Sequence, residues 1–274
     1  MGLAALCMIG LALTWVVAAL VPALQARDAI ALDGFTHVSL SGGLAYHVAE
    51  LASPAICLVL GALMTSVALL RGRRRDAVAV PIVLLGSALT TQLLKPLLAH
   101  PNGAAPLGVH GIPAATWPSG HATAAMALAL CAVLVAPERL RLLSAALGAG
   151  FASAVGLSLL ILARHLPSDV IGGYIVAALW VSLTLTARQQ ANRRWPVREA
   201  PRPRGLRGGE SHRGLTRAIP VLIAFASVAG LSAVGGPQVF TYVSEHPSMM
   251  VTAGAITALA ATLATSLALT VSRS

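Results

Sequence analysis

Residues 117–126, WPSGHATAAM, lead from a polar loop into an apolar helix. Ser119 has the side chain of a helix N-cap, and Pro118 keeps the helix from starting earlier. The first free backbone N–H groups of the helix, a glycine that allows close approach and the ionisable His121 then lie together. A helix start of this kind can bind an anion, although an ordinary cap beside an incidental histidine would look the same. The rest of the chain decides between these two interpretations.

The composition is that of an integral membrane protein. Of 274 residues, 57% are hydrophobic and only 10% are charged, whereas a soluble domain carries roughly 25% charged residues. A helix needs about 20 mostly apolar residues to cross a bilayer, and backbone groups in lipid must be paired within the segment. We therefore predict an all-α polytopic membrane protein of about eight spans. The predicted spans are 3–24, 53–70, 77–95, 120–136, 142–163, 170–187, 218–235 and 248–270.

The basic residues predict the orientation. Sixteen of the 19 lie near one set of helix ends, nine of them between residues 188 and 217, and the positive-inside rule places that side in the cytoplasm. Both termini are then cytoplasmic, and the net charge of +10 reflects topology rather than nucleic-acid binding. Arg27, Lys95 and Arg164 fall on the opposite side, as do seven of the eight histidines. We expect a protein of the bacterial plasma membrane whose active site is extracytoplasmic.

Three polar segments are predicted to meet on that extracytoplasmic side. They are KPLLAHPNG at 95–103, PSGH at 118–121 and HLPSD at 165–169. An aspartate four residues after a histidine can accept from one imidazole nitrogen and leave the other free to attack. A second histidine can then protonate the leaving group. Residues 25–52 are predicted to be a solvated loop, the alternative being a loop that runs along the interface and covers the site. Gly172 and Gly173 are predicted to permit close helix packing.

In order, topology and spacing, these segments resemble the type 2 phosphatidic acid phosphatase superfamily, which also includes the vanadium haloperoxidases. Its pattern is Lys-x6-Arg-Pro, then Pro-Ser-Gly-His, then Ser-Arg-x5-His-x3-Asp. The resemblance covers about residues 1–187 and implies a six-helix core that needs no metal or other cofactor. Residues 188–217 would be a basic cytoplasmic linker, and residues 218–274 two additional transmembrane helices for which the sequence indicates no role.

The resemblance also implies a role for each matching residue. The residues at phosphate-binding positions are Lys95, Ser119 and Gly120. His121 corresponds to the general acid, His165 to the nucleophile that forms a phosphohistidine, and Asp169 to the residue that orients it. Ser158 matches the serine of the third motif. A metal site formed by the histidines is not expected, because steps of ten and eleven residues match no ligand signature.

The two motif arginines are missing. Asn102-Gly103 stands where the pattern has Arg-Pro, and Leu159 stands where it has the arginine of the third motif. Their loss removes two bidentate contacts to phosphate oxygens. His100, Asn102 or Arg164 would partly replace these donors.

Three functions remain open at this point. The first is a lipid phosphatase that removes a phosphoryl group from a polyprenyl or phosphatidyl lipid phosphate. The second is a phosphodiester-using headgroup or sugar-phosphate transferase, since a diester carries less charge and needs fewer cations. The third is a non-catalytic, lipid-binding relative. All three have the lipid bilayer as partner, and the sequence leaves the oligomeric state open.

Overall fold

The structure, a computed structural model, describes residues 2–36, 42–99, 113–194 and 246–273. These residues form helices and no strand, which confirms the all-α prediction. The helices are α1 (Gly2–Trp15, continued by a π-helical turn, Val16–Leu20), α2 (Pro22–Thr36), α3 (Gly42–Glu50), α4 (Pro54–Leu70), α5 (Arg74–Leu97), α6 (Gly120–Val135), α7 (Arg141–Ile161), α8 (Pro167–Arg194) and α9 (Pro247–Arg273).

Five of these helical segments are long and apolar enough to cross a membrane, and a sixth results if α3 and α4 form one span bent by 45°. Seven of the eight predicted spans coincide with a described helix. The predicted span 218–235 lies outside the described residues, as does the predicted linker beyond Arg194. At 16 residues, α6 is shorter than a full span.

The prediction of a solvated loop at 25–52 was wrong. Most of this segment lies in α2 and α3, and α2 packs against α7, α8 and α9. Leu32 and Phe35 on α2 are fully buried. Together with Asp28 they lie at positions i, i+4 and i+7, which share one face of a helix. Tertiary packing of this face, rather than hydration, therefore determines the structure of the segment.

Helix α6 lies at the centre of the bundle and positions the site. It packs against α4, α5, α7, α8 and α9. Its small side chains allow close approach: a Cβ atom at Gly148 of α7 would lie only 2.9 Å from the Cβ of Ala129. Such small-residue contacts bring helix backbones together in membranes.

The C-terminal helix α9 shares the hydrophobic core of the helices before it. It packs against α2, α6, α7 and α8. Ile256, Ala260 and Ala264 on this helix are fully buried in the same apolar cluster as α6. This last predicted helix is therefore an integral part of the packed bundle.

The two ends of α6 differ in their chemistry. At its C-terminal end, Arg73 donates to the carbonyls of Leu134 (2.9 Å) and Val135 (2.8 Å). Asp76 pairs with Arg73 at 2.6 Å and also with Arg188. The segments expected to carry the chemistry lie at the N-terminal end, about 24 Å away for a helix of 16 residues.

Candidate active site

The start of α6 has the predicted cap. Ser119 is the N-cap residue, and its hydroxyl accepts from the backbone N–H of Ala122 at 3.4 Å. The Thr123 hydroxyl donates a hydrogen bond to the Ser119 carbonyl at 2.7 Å and accepts one from the Thr91 hydroxyl on α5 at 3.3 Å. Ser119 is completely buried. The loop that leads into α6 is therefore fixed to its own helix and, through Thr91, to α5.

His165 and Asp169 meet as their spacing predicts. The Nδ1 of His165 lies 3.1 Å from Oδ2 of Asp169, and the N–H of Leu166 donates to the same oxygen at 3.1 Å. Asp169 is the third residue of α8, from which a carboxylate reaches back to the residue before the helix, as in a capping box. Asp169 is 1% exposed. With the proton on Nδ1, the Nε2 of His165 is free to act as a nucleophile.

The starts of α6 and α8 are packed backbone against backbone. The Ser119 N–H donates to the Asp169 carbonyl at 3.0 Å. A Cβ atom at Gly173 would lie 2.8 Å from the Ser119 carbonyl oxygen, and one at Gly172 would lie 2.6 Å from Nε1 of Trp117. The expected role of the two glycines in close packing is confirmed. This contact places the capped start of α6 beside the aspartate that orients His165.

Lys95 faces the start of α6. Its Nζ lies 3.8 Å from where a Cβ atom at Gly120 would stand. His121 lies within electrostatic range of Lys95 and His165, and Lys95 lies within electrostatic range of Asp169. The structure therefore brings Lys95, His121, His165 and Asp169 together at the N-terminal end of α6.

A cavity of 680 Å³ extends from this point into the bundle. Lys95, Gly120 and His121 line one end. From there it continues between α4 and α5 as far as Ser66 and Pro81, about 20 Å along α5 at the helical rise of 1.5 Å per residue. Its walls are mainly alanine, leucine, glycine and small hydroxyl side chains.

Arg164 is directed toward α3. Its guanidinium lies 3.8 Å from the carboxylate of Glu50 and 5.2 Å from the centre of the Tyr46 ring. A C-terminal turn of α7 sets this direction: the Arg164 N–H returns to the Leu159 carbonyl at 3.0 Å, and Ala163 has a φ of 51°. Arg164 is still within electrostatic range of His121. Its guanidinium is paired with a carboxylate, and Arg164 is not among the described residues that line the cavity.

The remaining predicted positions are placed as follows. His100 and Asn102 lie outside the described residues. Ser158 and Leu159 are both buried in α7, and Leu159 is 0% exposed within the apolar core.

Asp28 contacts the start of α8 and was not among the residues predicted from the sequence. Its carboxylate accepts from the Ser168 hydroxyl at 2.6 Å and from the Ser168 N–H at 3.2 Å. Burial raises the pKa of Asp28 to about 7; the hydroxyl bond from Ser168 lowers it, and the charge of Asp169 raises it. Leu32 and Phe35 follow Asp28 at the helical spacing of four and seven residues, and this spacing was the signal that could have identified a packed helix here.

Comparison with known protein families matches residues 76–193 to the PAP2 superfamily. No curated protein and no solved structure matches the chain. The matched segment runs from the start of α5 to the end of α8, and so contains Lys95, His121, His165 and Asp169. The match supports phosphatase or phosphotransferase activity on phosphate esters. Residues 76–193, which carry the predicted site, are therefore similar to the type 2 phosphatidic acid phosphatase (PAP2) superfamily, as their motifs indicate.

Proposed function

We propose that the protein is a membrane lipid phosphatase. It removes the phosphoryl group from a lipid phosphate of polyprenyl or phosphatidyl type, at the extracytoplasmic face, through a phosphohistidine intermediate. The one observation that carries this proposal is the cavity, which joins Lys95, Gly120 and His121 to a long apolar groove between α4 and α5. A phosphate at the polar end and a hydrocarbon chain in the groove would satisfy both parts of this space.

The first chemical step uses the His165–Asp169 pair. Nε2 of His165 attacks phosphorus, so a P–N bond forms while the P–O bond to the lipid breaks. Asp169, 3.1 Å from Nδ1, stabilises the positive charge that develops on the imidazole. The proton of His121 passes to the leaving lipid oxygen, which departs as an alcohol.

The second step returns the enzyme to its starting state. His121, now neutral, accepts a proton from a water molecule as the oxygen of that water attacks phosphorus. The P–N bond breaks, inorganic phosphate leaves and His165 is regenerated. In both steps, Lys95 and the free N–H groups of the first turn of α6 would stabilise the negative charge on the phosphoryl oxygens.

The proposed extracytoplasmic face rests on the charge at the two ends of α6. The cluster of Arg73, Asp76 and Arg188 lies at the C-terminal end, and arginines accumulate on the cytoplasmic side of membrane proteins. The catalytic residues lie at the other end. A substrate in the outer leaflet could enter between α4 and α5 without leaving the bilayer.

One observation favours a second candidate, a phosphodiester-using transferase. Leu159 is fully buried in the apolar core, and Arg164 is paired with Glu50. Fewer cations are then available than for a site with the two motif arginines. A diester, with one negative charge, needs less neutralisation than a fully ionised monoester.

The deciding experiment is a turnover assay on the purified full chain in lipid vesicles. We expect release of free phosphate from a lipid phosphomonoester, and its loss in His165→Ala and His121→Ala proteins of unchanged expression. A lipid phosphodiester with an acceptor alcohol is assayed in parallel, and headgroup transfer without phosphate release would support the transferase instead. Full activity of His165→Ala, or no turnover of either lipid, would refute the proposed mechanism.

A further inference from the structure

Two carboxylates form hydrogen bonds at the start of α8, within residues 165–169. Asp169 holds the imidazole of His165 at 3.1 Å. Asp28, from α2, holds both the hydroxyl and the N–H of the neighbouring Ser168. Asp28 lies outside the segment matched to the PAP2 superfamily, so its contact is contributed by a different part of this chain.

The contact satisfies a specific need of the helix. The first N–H groups of an α-helix have no partner within the helix, and the Ser168 N–H is one of these. A carboxylate at this end also interacts favourably with the helix dipole. Ser168 is 4% exposed and Asp28 is 9% exposed. Because water has little access, loss of this acceptor would leave buried donors unpaired.

The His165–Asp169 geometry depends on the same turn. Oδ2 of Asp169 accepts two bonds, from His165 and from the Leu166 N–H, both at 3.1 Å. All these residues lie within five consecutive positions, so a small rotation of the turn would lengthen both bonds together. Two described contacts hold the turn from outside: Ser119 N–H to the Asp169 carbonyl, and Ser168 to Asp28.

We propose that Asp28 is a positioning residue that, through Ser168, fixes the first turn of α8 and thereby the orientation of Asp169 and His165. This inference rests on the proposed function, in which His165 attacks phosphorus. Asp28 acts on the nucleophile and not on the binding of the lipid. Its removal therefore lowers kcat and leaves KM nearly unchanged.

The kinetic test compares Asp28→Asn, Ser168→Ala and the double variant. Ser168 bonds to both carboxylate oxygens of Asp28, and asparagine replaces one of these two acceptors by an amide nitrogen that donates instead. We expect each single variant to lower kcat roughly tenfold, because small misplacements of reacting groups are costly. The double variant should be no slower than the slower single variant, because the two substitutions remove the same contact. Ser168→Thr, which keeps the hydroxyl, should restore most of kcat, and Asp33→Asn, an exposed position on α2, should match the wild type.

A second measurement does not require turnover. Diethyl pyrocarbonate reacts with the free nitrogen of a neutral imidazole, and mass spectrometry of the full chain follows the rate at His165, with His121 as reference. An imidazole whose Nδ1–H donates to a carboxylate is more basic at Nε2 than one without that bond. Because Asp28→Asn loosens the turn that holds Asp169 against His165, it should slow the reaction at His165. If the wild type turns over no lipid, the proposed function fails while this rate still tests the role of Asp28. A reaction at His165 in Asp28→Asn as fast as in the wild type, or additive losses of kcat in the double variant, would overturn the inference.

Discussion

The contact between α6 and α8 at Gly173 makes a quantitative prediction. A Cβ atom at this position would lie 2.8 Å from the Ser119 carbonyl oxygen, 2.9 Å from Oγ1 of Thr123 and 3.0 Å from its backbone nitrogen. Ordinary contact begins at 3.4 Å, so in Gly173→Ala the two helix starts must separate by about 0.6 Å. Two of the three atoms belong to the backbone, so no rotation of a side chain can relieve the clash.

The cost has two parts. Overpacking of this kind destabilises a core by about 1–3 kcal/mol. The separation also moves the capped start of α6 away from the Asp169 carbonyl, to which the Ser119 N–H donates at 3.0 Å. Because a displacement of about 1 Å can cost about 100-fold in rate, we expect a shift of this size to lower turnover by roughly tenfold.

The assay measures release of phosphate from a lipid phosphomonoester together with the temperature of unfolding. Gly150→Ala is the matched control, because this glycine also lies within a helix but has no atom of the described residues within 4 Å of its Cβ position. The control should keep wild-type turnover and be equally or slightly more stable, since alanine is the better helix former. Wild-type turnover and stability in Gly173→Ala would show that the two helix starts do not pack as described.

Three other changes give distinct outcomes. Ala163 has a left-handed φ of 51°, so Ala163→Gly should stabilise the protein by about 1 kcal/mol, visible as a higher unfolding temperature. Leu159→Arg should destabilise the protein by about 3 kcal/mol or more, because it buries a charge. Leu159→Met should cost less than about 1.5 kcal/mol. Equal unfolding temperatures of these two variants would contradict the burial of this position. The pKa of the Asp28 carboxyl is about 7 in the folded protein, against an ordinary value of 3.8. Between about pH 4 and pH 7 the folded state therefore binds a proton that the unfolded state does not. The free energy of unfolding falls as the pH rises through this range, by at most about 4 kcal/mol. Asp28→Asn should remove this fall, and an identical pH response of the two proteins would refute it.

Local patterns were sufficient to predict the helices and part of the site. The apolar runs, the cap at Ser119 and the pairing of His165 with Asp169 each depend on residues a few positions apart. A helix start or a single turn fixes such contacts whatever the rest of the fold does. The low charge content and the distribution of arginines are likewise properties of the chain alone, and they predict a polytopic membrane protein.

The contacts that surround this local geometry could not be predicted in the same way. Asp28 and Ser168 are 140 positions apart, and they meet only because α2 packs against α7, α8 and α9. The pairing of Arg164 with Glu50 likewise depends on where α3 lies. Residues 25–52 contain several polar side chains, and this composition suggested a solvated loop. Only the structure shows that Asp28 lies on the buried face of α2 with Leu32 and Phe35, whereas Arg27 and Asp33 on the same helix are exposed.

The charge at the polar end of the cavity determines which phosphate the site can bind. Lys95 is the one lysine or arginine among the described residues that line the cavity, and the charge of Arg164 is partly neutralised by Glu50. The start of α6 contributes a further half of a positive charge. When His121 is neutral, this balance suits a phosphate with a single negative charge better than one with two; the proton that His121 carries in the first proposed step adds one further positive charge at this end. A diester always has one charge, and a monoester has one only below its second pKa, near 6. The phosphatase and the transferase proposed for this chain would therefore differ mainly in the charge of the bound phosphate, because both use the same His165–Asp169 pair.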